Sequence, residues 1–242
     1  LGDVYKRQVW QATGPGNISV AIKTIWLGNA KSGAEWQGLK HARNIRHPHL
    51  LCMHGFWVVD GWLLVVSELG ESDLESELQL AKKKGQVGLD PLFLTPLLRD
   101  AAEGLDYLQS LAPGFTHGDI KPGNLLVLGG RCKIGDFGSL HPTGEEDLFR
   151  VKGTTQYFAA PEIEVSVSHP NSDQFSLAMT YCLLRGMAPF TGEEKSDAVR
   201  LEEKLGNANL TKTESRALLK ALQKNPEERH GSCSAMVHSL FP

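Results

Sequence analysis

Eleven residues, Thr116-His117-Gly118-Asp119-Ile120-Lys121-Pro122-Gly123-Asn124-Leu125-Leu126, constrain this chain more than any others. Ten residues further on comes Asp136-Phe137-Gly138. Together they supply an acid, a base, a lysine and two oxygen or amide metal ligands at short, fixed offsets. Taken singly, an Asp-Phe-Gly is usually a turn and a His-Gly-Asp a capped loop. Their ordered co-occurrence sets them apart. The 242 residues suffice for one large domain, or for two lobes that share a cleft in which such groups meet.

This set suits the transfer of a phosphoryl group from a magnesium nucleotide to a hydroxyl. That reaction asks for positioning and for neutralisation of phosphate charge more than for covalent help from the protein. Other function classes find less support. The net charge of −3 and the absence of a Lys/Arg stripe leave no nucleic-acid footprint. The run Lys82-Lys83-Lys84 is expected to be a solvated turn. No apolar run approaches the roughly 18 residues of a membrane span, and no signal peptide is visible. Cys52, Cys132, Cys182 and Cys233 show no paired spacing and read as reduced, mostly buried small hydrophobes of a cytoplasmic protein. The chain starts at Leu1 without a methionine, so the expectation is a fragment whose full-length protein could be membrane-anchored elsewhere.

The first part of the chain is β-rich. Ile18 to Ile25 reads as a buried strand, and Ala34 to Ile45 as a helix with Leu39, Ala42 and Ile45 on one stripe. Leu51 to Val59 and Trp62 to Leu69 read as strands joined by an Asp60-Gly61 turn. A hinge is expected near Glu68 to Ser72. The remainder reads as mainly helical. Thr95-Pro96 is expected to be an N-cap and first helical position, followed by Leu97, Leu98, Ala101, Ala102, Leu105 and Leu108 at helical spacing. Gln174 to Leu184 is apolar on nearly all sides and predicts a buried helix. Thr213 to Gln223 and Ser232 to Leu240 predict two closing helices.

The catalytic-type stretch and the Asp-Phe-Gly triplet resemble those of the eukaryotic-like (bacterial Hanks-type) serine/threonine protein kinase family. The resemblance runs from Val9 to Leu240. It implies an α+β, bilobal protein-kinase fold: a small antiparallel β lobe with one helix (9–70) and a larger, mainly helical lobe (71–242), in a single domain spanning 1–242. It further implies ATP and Mg²⁺ as cofactors and a protein substrate bearing Ser or Thr. By the same resemblance Asp119 orients the substrate hydroxyl proton, Lys121 steadies the transferring phosphate, and Asn124 and Asp136 hold metal. Val20-Ala21-Ile22-Lys23 resembles the family's third-strand signature, which makes Lys23 a phosphate-binding lysine. The glutamate that holds it should lie on the following helix. Counting back from His47 by the usual interval lands on Gly38, so Glu35, one turn earlier, is the candidate. Backbone groups of Glu68 and Gly70 would take the adenine edge, with Ser67 guarding the back of an enlarged pocket.

Thr154-Thr155-Gln156-Tyr157-Phe158-Ala159-Ala160-Pro161-Glu162 resembles the end of an activation loop. Thr155 stands where a threonine bonds the catalytic aspartate and lysine, and Glu162 should pair with Arg229. Asp173 matches the aspartate that caps the central helix and braces the catalytic loop. Lys121, two residues after Asp119, favours Ser/Thr over Tyr. His47-Pro48-His49-Leu50, Phe56-Trp57 and Tyr181 to Gly186 look most like planctomycete-type members.

Two departures matter. In the stretch before Val9-Trp10-Gln11-Ala12 only Gly2 matches the glycine-rich loop, with Val4 and Arg7 where glycine is called for. Leu1 to Gln8 is therefore expected to be a foreign or truncated leader. Gly118 replaces the arginine that usually precedes the catalytic aspartate, which predicts activity independent of activation-loop phosphorylation. Two alternatives stay open: a nucleotide-binding scaffold without activity (a pseudokinase), and a small-molecule phosphotransferase of the aminoglycoside or choline type. The substrate's identity and the oligomeric state cannot be read from these residues.

Overall fold

A computed structural model of the chain describes residues 7–28, 31–144, 157–164, 167–190, 194–195 and 197–242. The smaller lobe is a four-stranded antiparallel sheet in the order β1-β2-β4-β3, from β1 (Arg7–Thr13), β2 (Ser19–Trp26), β3 (Met53–Val59) and β4 (Trp62–Glu68). Its one described helix is α1 (Lys31–Ala42). The β3–β4 hairpin turns on Asp60 (φ 49°) and Gly61 (φ 78°), the left-handed pair that matches strand twist. Strand alternation decides which residues face the cleft. Lys23 and Ile25 pair with Val65 and Leu63, and Ile25, Leu63 and Val65 are buried. The intervening positions put Trp10, Trp26 and Trp57 on the outer face, each more than one-third exposed.

The chain leaves this sheet at Glu68 and enters the larger lobe through β5 (Ser72–Asp73), which pairs with β7 (Leu125–Leu128). A helix that the sequence reading had not found follows: α2 (Leu74–Lys83), capped by Asp73, whose Oδ1 accepts from Ser76 N at 2.9 Å. Lys82 and Lys83 form its last turn and Lys84 its C-cap, so the lysine run ends a helix instead of making a free turn. There the three ammonium groups face the negative end of the helix dipole.

The long helix α3 (Pro91–Ser110) begins five residues before the expected Thr95-Pro96 start. Asp90-Pro91 is itself a cap followed by proline, with Asp90 Oδ1 accepting from Leu92 N at 2.7 Å. Pro96 therefore lies inside the helix, where it forfeits only a bond to the carbonyl of Leu92, an 84% exposed residue. The leucine and alanine stripe of α3 is buried as its spacing predicts.

β6 (Phe115–Thr116) pairs with β9 (His141–Pro142), and β7 pairs with β8 (Arg131–Ile134) across Gly129-Gly130, both at positive φ. After the short α4 (Pro161–Glu164), helix α5 (Ser172–Leu184) is buried on every residue but Leu183. Around it lie α6 (Ala198–Gly206), α7 (Lys212–Ala221) and α8 (Cys233–Leu240). Cys132, Cys182 and Cys233 are buried free thiols, and burial pushes all three pKa values up. Among the described residues no helix is long and apolar enough to cross a membrane.

The lobes meet through backbone as well as side chains. Leu51 N donates to Ile134 O at 2.8 Å, and Ile134 N donates to His49 O at 2.9 Å. This ladder ties the segment entering β3 to the strand that leads into Asp136.

Candidate active site

Asp136 closes β8 with φ 62°, a left-handed backbone that swings its carboxylate out of the strand direction. Its Oδ1 accepts from Gly138 N at 3.4 Å and from Lys23 Nζ at 2.7 Å. Lys23 reaches it from the cleft face of β2, and the same ammonium lies 3.0 Å from Glu35 Oε1. Lys23, Glu35 and Asp136, far apart in sequence, thus form one charge cluster between the lobes. Burial opposes the charges of Lys23 and Asp136, yet the pairing wins. Against desolvation, attraction to Asp136 and then to Glu35 raises the Lys23 pKa. The Lys23 ammonium, with smaller help from Lys121, holds the Asp136 carboxyl well below the usual range despite burial.

The second cluster sits on the loop between β6 and β7. Asp119 Oδ2 accepts from Lys121 Nζ at 2.8 Å and from Asn124 Nδ2 at 2.9 Å. Asn124 Nδ2 also donates to Asp119 O at 2.7 Å, which spends both amide hydrogens and leaves Asn124 Oδ1 as its remaining acceptor. The two clusters are locked together, since Gly135 N donates to Asn124 O at 2.9 Å.

Three further groups hold this loop. Asp173 Oδ2 accepts from His117 N at 2.6 Å, and Oδ1 accepts from Gly118 N at 3.0 Å. The expected bracing role is visible in that geometry. The expected cap is not: both carboxylate oxygens face the loop, and the N-cap of α5 is Asn171. Gly118 sits at φ 74°, and a Cβ there would stand 3.2 Å from His141 Cε1. His117 is buried; its Nδ1 accepts from Asp119 N at 3.3 Å while Nε2 donates to Gly135 O at 3.1 Å. Its position in the motif was plain from sequence. Its role was not, because only the fold brings Gly135 beside it.

At the hinge, Ser67 pairs in register with Ala21 and Met53. Glu68 N donates to Cys52 O at 3.1 Å, so of its backbone only the carbonyl, which accepts from Ser67 Oγ at 3.1 Å, remains to meet a ligand. The Glu68 carboxylate accepts from Cys52 N at 2.6 Å and from Lys133 Nζ at 2.7 Å. Lys133 was missed by sequence reading. The alternation of Arg131 to Ile134 marks a one-sided strand but cannot announce a partner 65 positions away. Gly70 packs against Leu126 at the same crossing. Thr154 and Thr155 lie outside the described residues. Beyond them, Arg229 clamps Glu162 with two bonds, Nη1 to Oε1 at 2.7 Å and Nη2 to Oε2 at 2.8 Å.

What this arrangement can do follows from its donors. Asn124 Oδ1 and Asp136 Oδ2 carry no hydrogen bond among the described residues and are both hard oxygens. That donor set fits Mg²⁺, which takes one or two protein oxygens and completes its shell with phosphate and water. Lys23 and Lys121 supply positive charge, and Asp119 an acceptor already oriented by two donors.

Comparison with known proteins identifies the family. Residues 6–241 match the family model described as "Protein kinase domain". Serine/threonine-protein kinase GRIK1 of Arabidopsis thaliana is 41% identical over 105 residues, 41% of this chain and 26% of that protein. Serine/threonine-protein kinase PknE of Mycobacterium tuberculosis is 28% identical over 216 residues, 83% of this chain and 37% of its own. Protein-tyrosine kinase 6 of Mus musculus is 28% identical over 199 residues, 79% of this chain and 43% of its own. The chain spans less than half the length of these relatives.

Proposed function

The chain belongs to the protein kinase domain family, and from that premise we propose that it transfers the γ-phosphoryl group of MgATP to serine and threonine hydroxyls of proteins. The observation that carries the reading is the meeting of Lys23, Asp119, Lys121, Asn124 and Asp136 in two hydrogen-bonded clusters joined through Gly135. Asn124 Oδ1 and Asp136 Oδ2 would hold Mg²⁺, which neutralises phosphate charge when bound. Lys23, kept protonated and aimed by Glu35, would grip the nucleotide phosphates. The Glu68 carbonyl and the backbone of Gly70 would meet the adenine edge. Asp119, steadied by Asn124 and Lys121, would accept the hydroxyl proton, and Lys121 would then turn toward the transferring phosphate. Thr155 is assigned by the resemblance to bond Asp119 and Lys121.

Tyrosine and serine/threonine kinases both stand among the relatives, so hydroxyl preference rests on Lys121. The finer kinship, to planctomycete-type bacterial kinases, rests on His47 to Leu50, Phe56-Trp57 and Tyr181 to Gly186.

Gly118 supports independence from activation-loop phosphorylation. Its place carries no cation to receive a phosphate, and its left-handed backbone leaves no comfortable room for an arginine. A Thr143→Ala, Thr154→Ala double variant should keep most activity; loss of nearly all of it refutes this part.

A pseudokinase would not need these five polar groups held in two joined clusters. A small-molecule phosphotransferase would not need the Glu162–Arg229 clamp beside a peptide-receiving segment. The deciding experiment offers γ-labelled MgATP with a generic protein, an aminoglycoside and choline in parallel. Label should enter only the protein, and Asp119→Asn should cut the rate by about 10²–10⁴-fold while leaving the fold intact. Label in the small molecules, or equal rates in wild type and variant, would defeat the reading.

A further inference from the structure

The position where the family's usual interval places a glutamate holds glycine, and the structure shows what fills the space. A Cβ built on Gly38 would lie 2.4 Å from Phe137 O, 2.7 Å from Gly138 O and 2.8 Å from Gly138 C. These are backbone atoms of the Asp136-Phe137-Gly138 turn and cannot rotate aside as a side-chain tip can. The fit is mutual, because a Cβ on Gly138 would lie 2.8 Å from Glu35 Cγ. Glu35 and Gly38 are three apart on one helix and share a face. Gly33, in the same helix, would meet nothing within 4 Å.

We propose that Gly38 is a positioning residue: its missing side chain lets α1 settle directly on the Asp136–Gly138 turn, and only at that depth does Glu35 reach Lys23. A carboxylate one turn early is thereby made to serve. Restoring an ordinary carbon–oxygen contact of about 3.4 Å at Gly38 displaces the helix or the turn by about 1 Å. The Lys23–Glu35 contact, now 3.0 Å, then opens, or Asp136 moves off Lys23. Helix propensity runs the other way, since alanine suits a helix better than glycine. Gly38→Ala thus sets local stability against site geometry, and the two are separable.

The proposal rests on the kinase reading for its rate measurements only. Its other readout needs neither nucleotide nor turnover: the labelling rate of Lys23 by an amine-reactive ester in the nucleotide-free protein, read by peptide mass spectrometry. Held between two carboxylates, Lys23 should label slowly in wild type and Gly33→Ala. It should label severalfold faster in Gly38→Ala and in Glu35→Gln. Gly138→Ala, which crowds Glu35 from the other side, should raise labelling too and stands in if Gly38→Ala does not fold. Where wild type turns over, Gly38→Ala should lose kcat by about 100-fold with Gly33→Ala unchanged. The Gly38→Ala, Glu35→Gln double variant should be no slower than Glu35→Gln alone. Wild-type labelling in folded Gly38→Ala or Gly138→Ala, or fully multiplicative losses in the double variant, would overturn the proposal. An inactive wild type whose labelling follows the predicted order would sink the kinase reading and leave Gly38's role standing.

Discussion

Cutting the clamp between Glu162 and Arg229 should cost the larger lobe more than any surface change of the same size. The Arg229 side chain is fully buried and that of Glu162 is 12% exposed. The guanidinium makes two bonds to Glu162 and further bonds to the carbonyls of Asn171, Gln223 and Lys224, while lying 5.0 Å over the Phe175 ring. Three carbonyls cannot replace a carboxylate, so Glu162→Ala leaves a buried cation with no counter-charge. Breaking one side of such a pair costs about 3–5 kcal/mol. For a chain of this size each kcal/mol moves the melting temperature by about 2–4 °C, so the expected fall is about 6–20 °C. Arg229→Lys should cost less than Glu162→Ala, because lysine keeps a charge opposite Glu162 but not the paired donors. Arg200–Asp197 serves as the contrast, with side chains 54% and 45% exposed. Removing Arg200 there should cost about 0.5 kcal/mol or less. Urea unfolding of the four proteins tests this. A Glu162→Ala loss below about 1 kcal/mol, or one no larger than that of Arg200→Ala, refutes the claim that this buried pair fastens Pro161–Glu164 to the larger lobe.

Three other outcomes follow from the same geometry. Asp173→Asn keeps one acceptor for the two N–H groups of His117 and Gly118; it should cost about 1–3 kcal/mol by urea unfolding and lower kcat by loosening the loop under Asp119. Pro96→Ala returns a helical N–H opposite Leu92 O and should raise the urea midpoint by about 1 kcal/mol equivalent without touching kcat. Burial holds the His230 pKa below the usual histidine range, outweighing its bond to Ala217 O. The unfolded chain then binds a proton that the folded chain resists, so stability should fall as pH drops below about 6.5. A His230→Asn variant should flatten that slope between about pH 7 and 5, and an unchanged slope assigns it to other groups, His47 first.

Much of this was legible in the sequence because the residues that matter there are local in spacing. Lys121 and Asn124 both bond Asp119 within six positions, and the Val20-Ala21-Ile22-Lys23 signature on an apolar strand singled out Lys23. Glu35 was reachable by counting along one helix face. What escaped was set by partners distant in sequence or by competing local signals. Thr95-Pro96 looked like a helix start because Asp90-Pro91, an equally good one, precedes it by only five residues. The helix over 74–83 escaped because its Ser, Glu and Lys composition reads as polar loop, and its apolar side is only Leu74, Leu78 and Ala81. His117 and Lys133 look like ordinary polar residues until β8 and the hinge are brought beside them.

The proposed reaction needs the two clusters to act together on one metal-bound triphosphate. Its most direct test is phosphate incorporation from MgATP into a generic protein, with the modified residues mapped by mass spectrometry for wild type, Lys23→Met and Asp119→Asn. Wild type should yield phosphoserine and phosphothreonine, and either variant almost none, although their mutated residues lie on different lobes. Phosphate transfer that survives the loss of Lys23 or Asp119, or that lands on tyrosine alone, would contradict it.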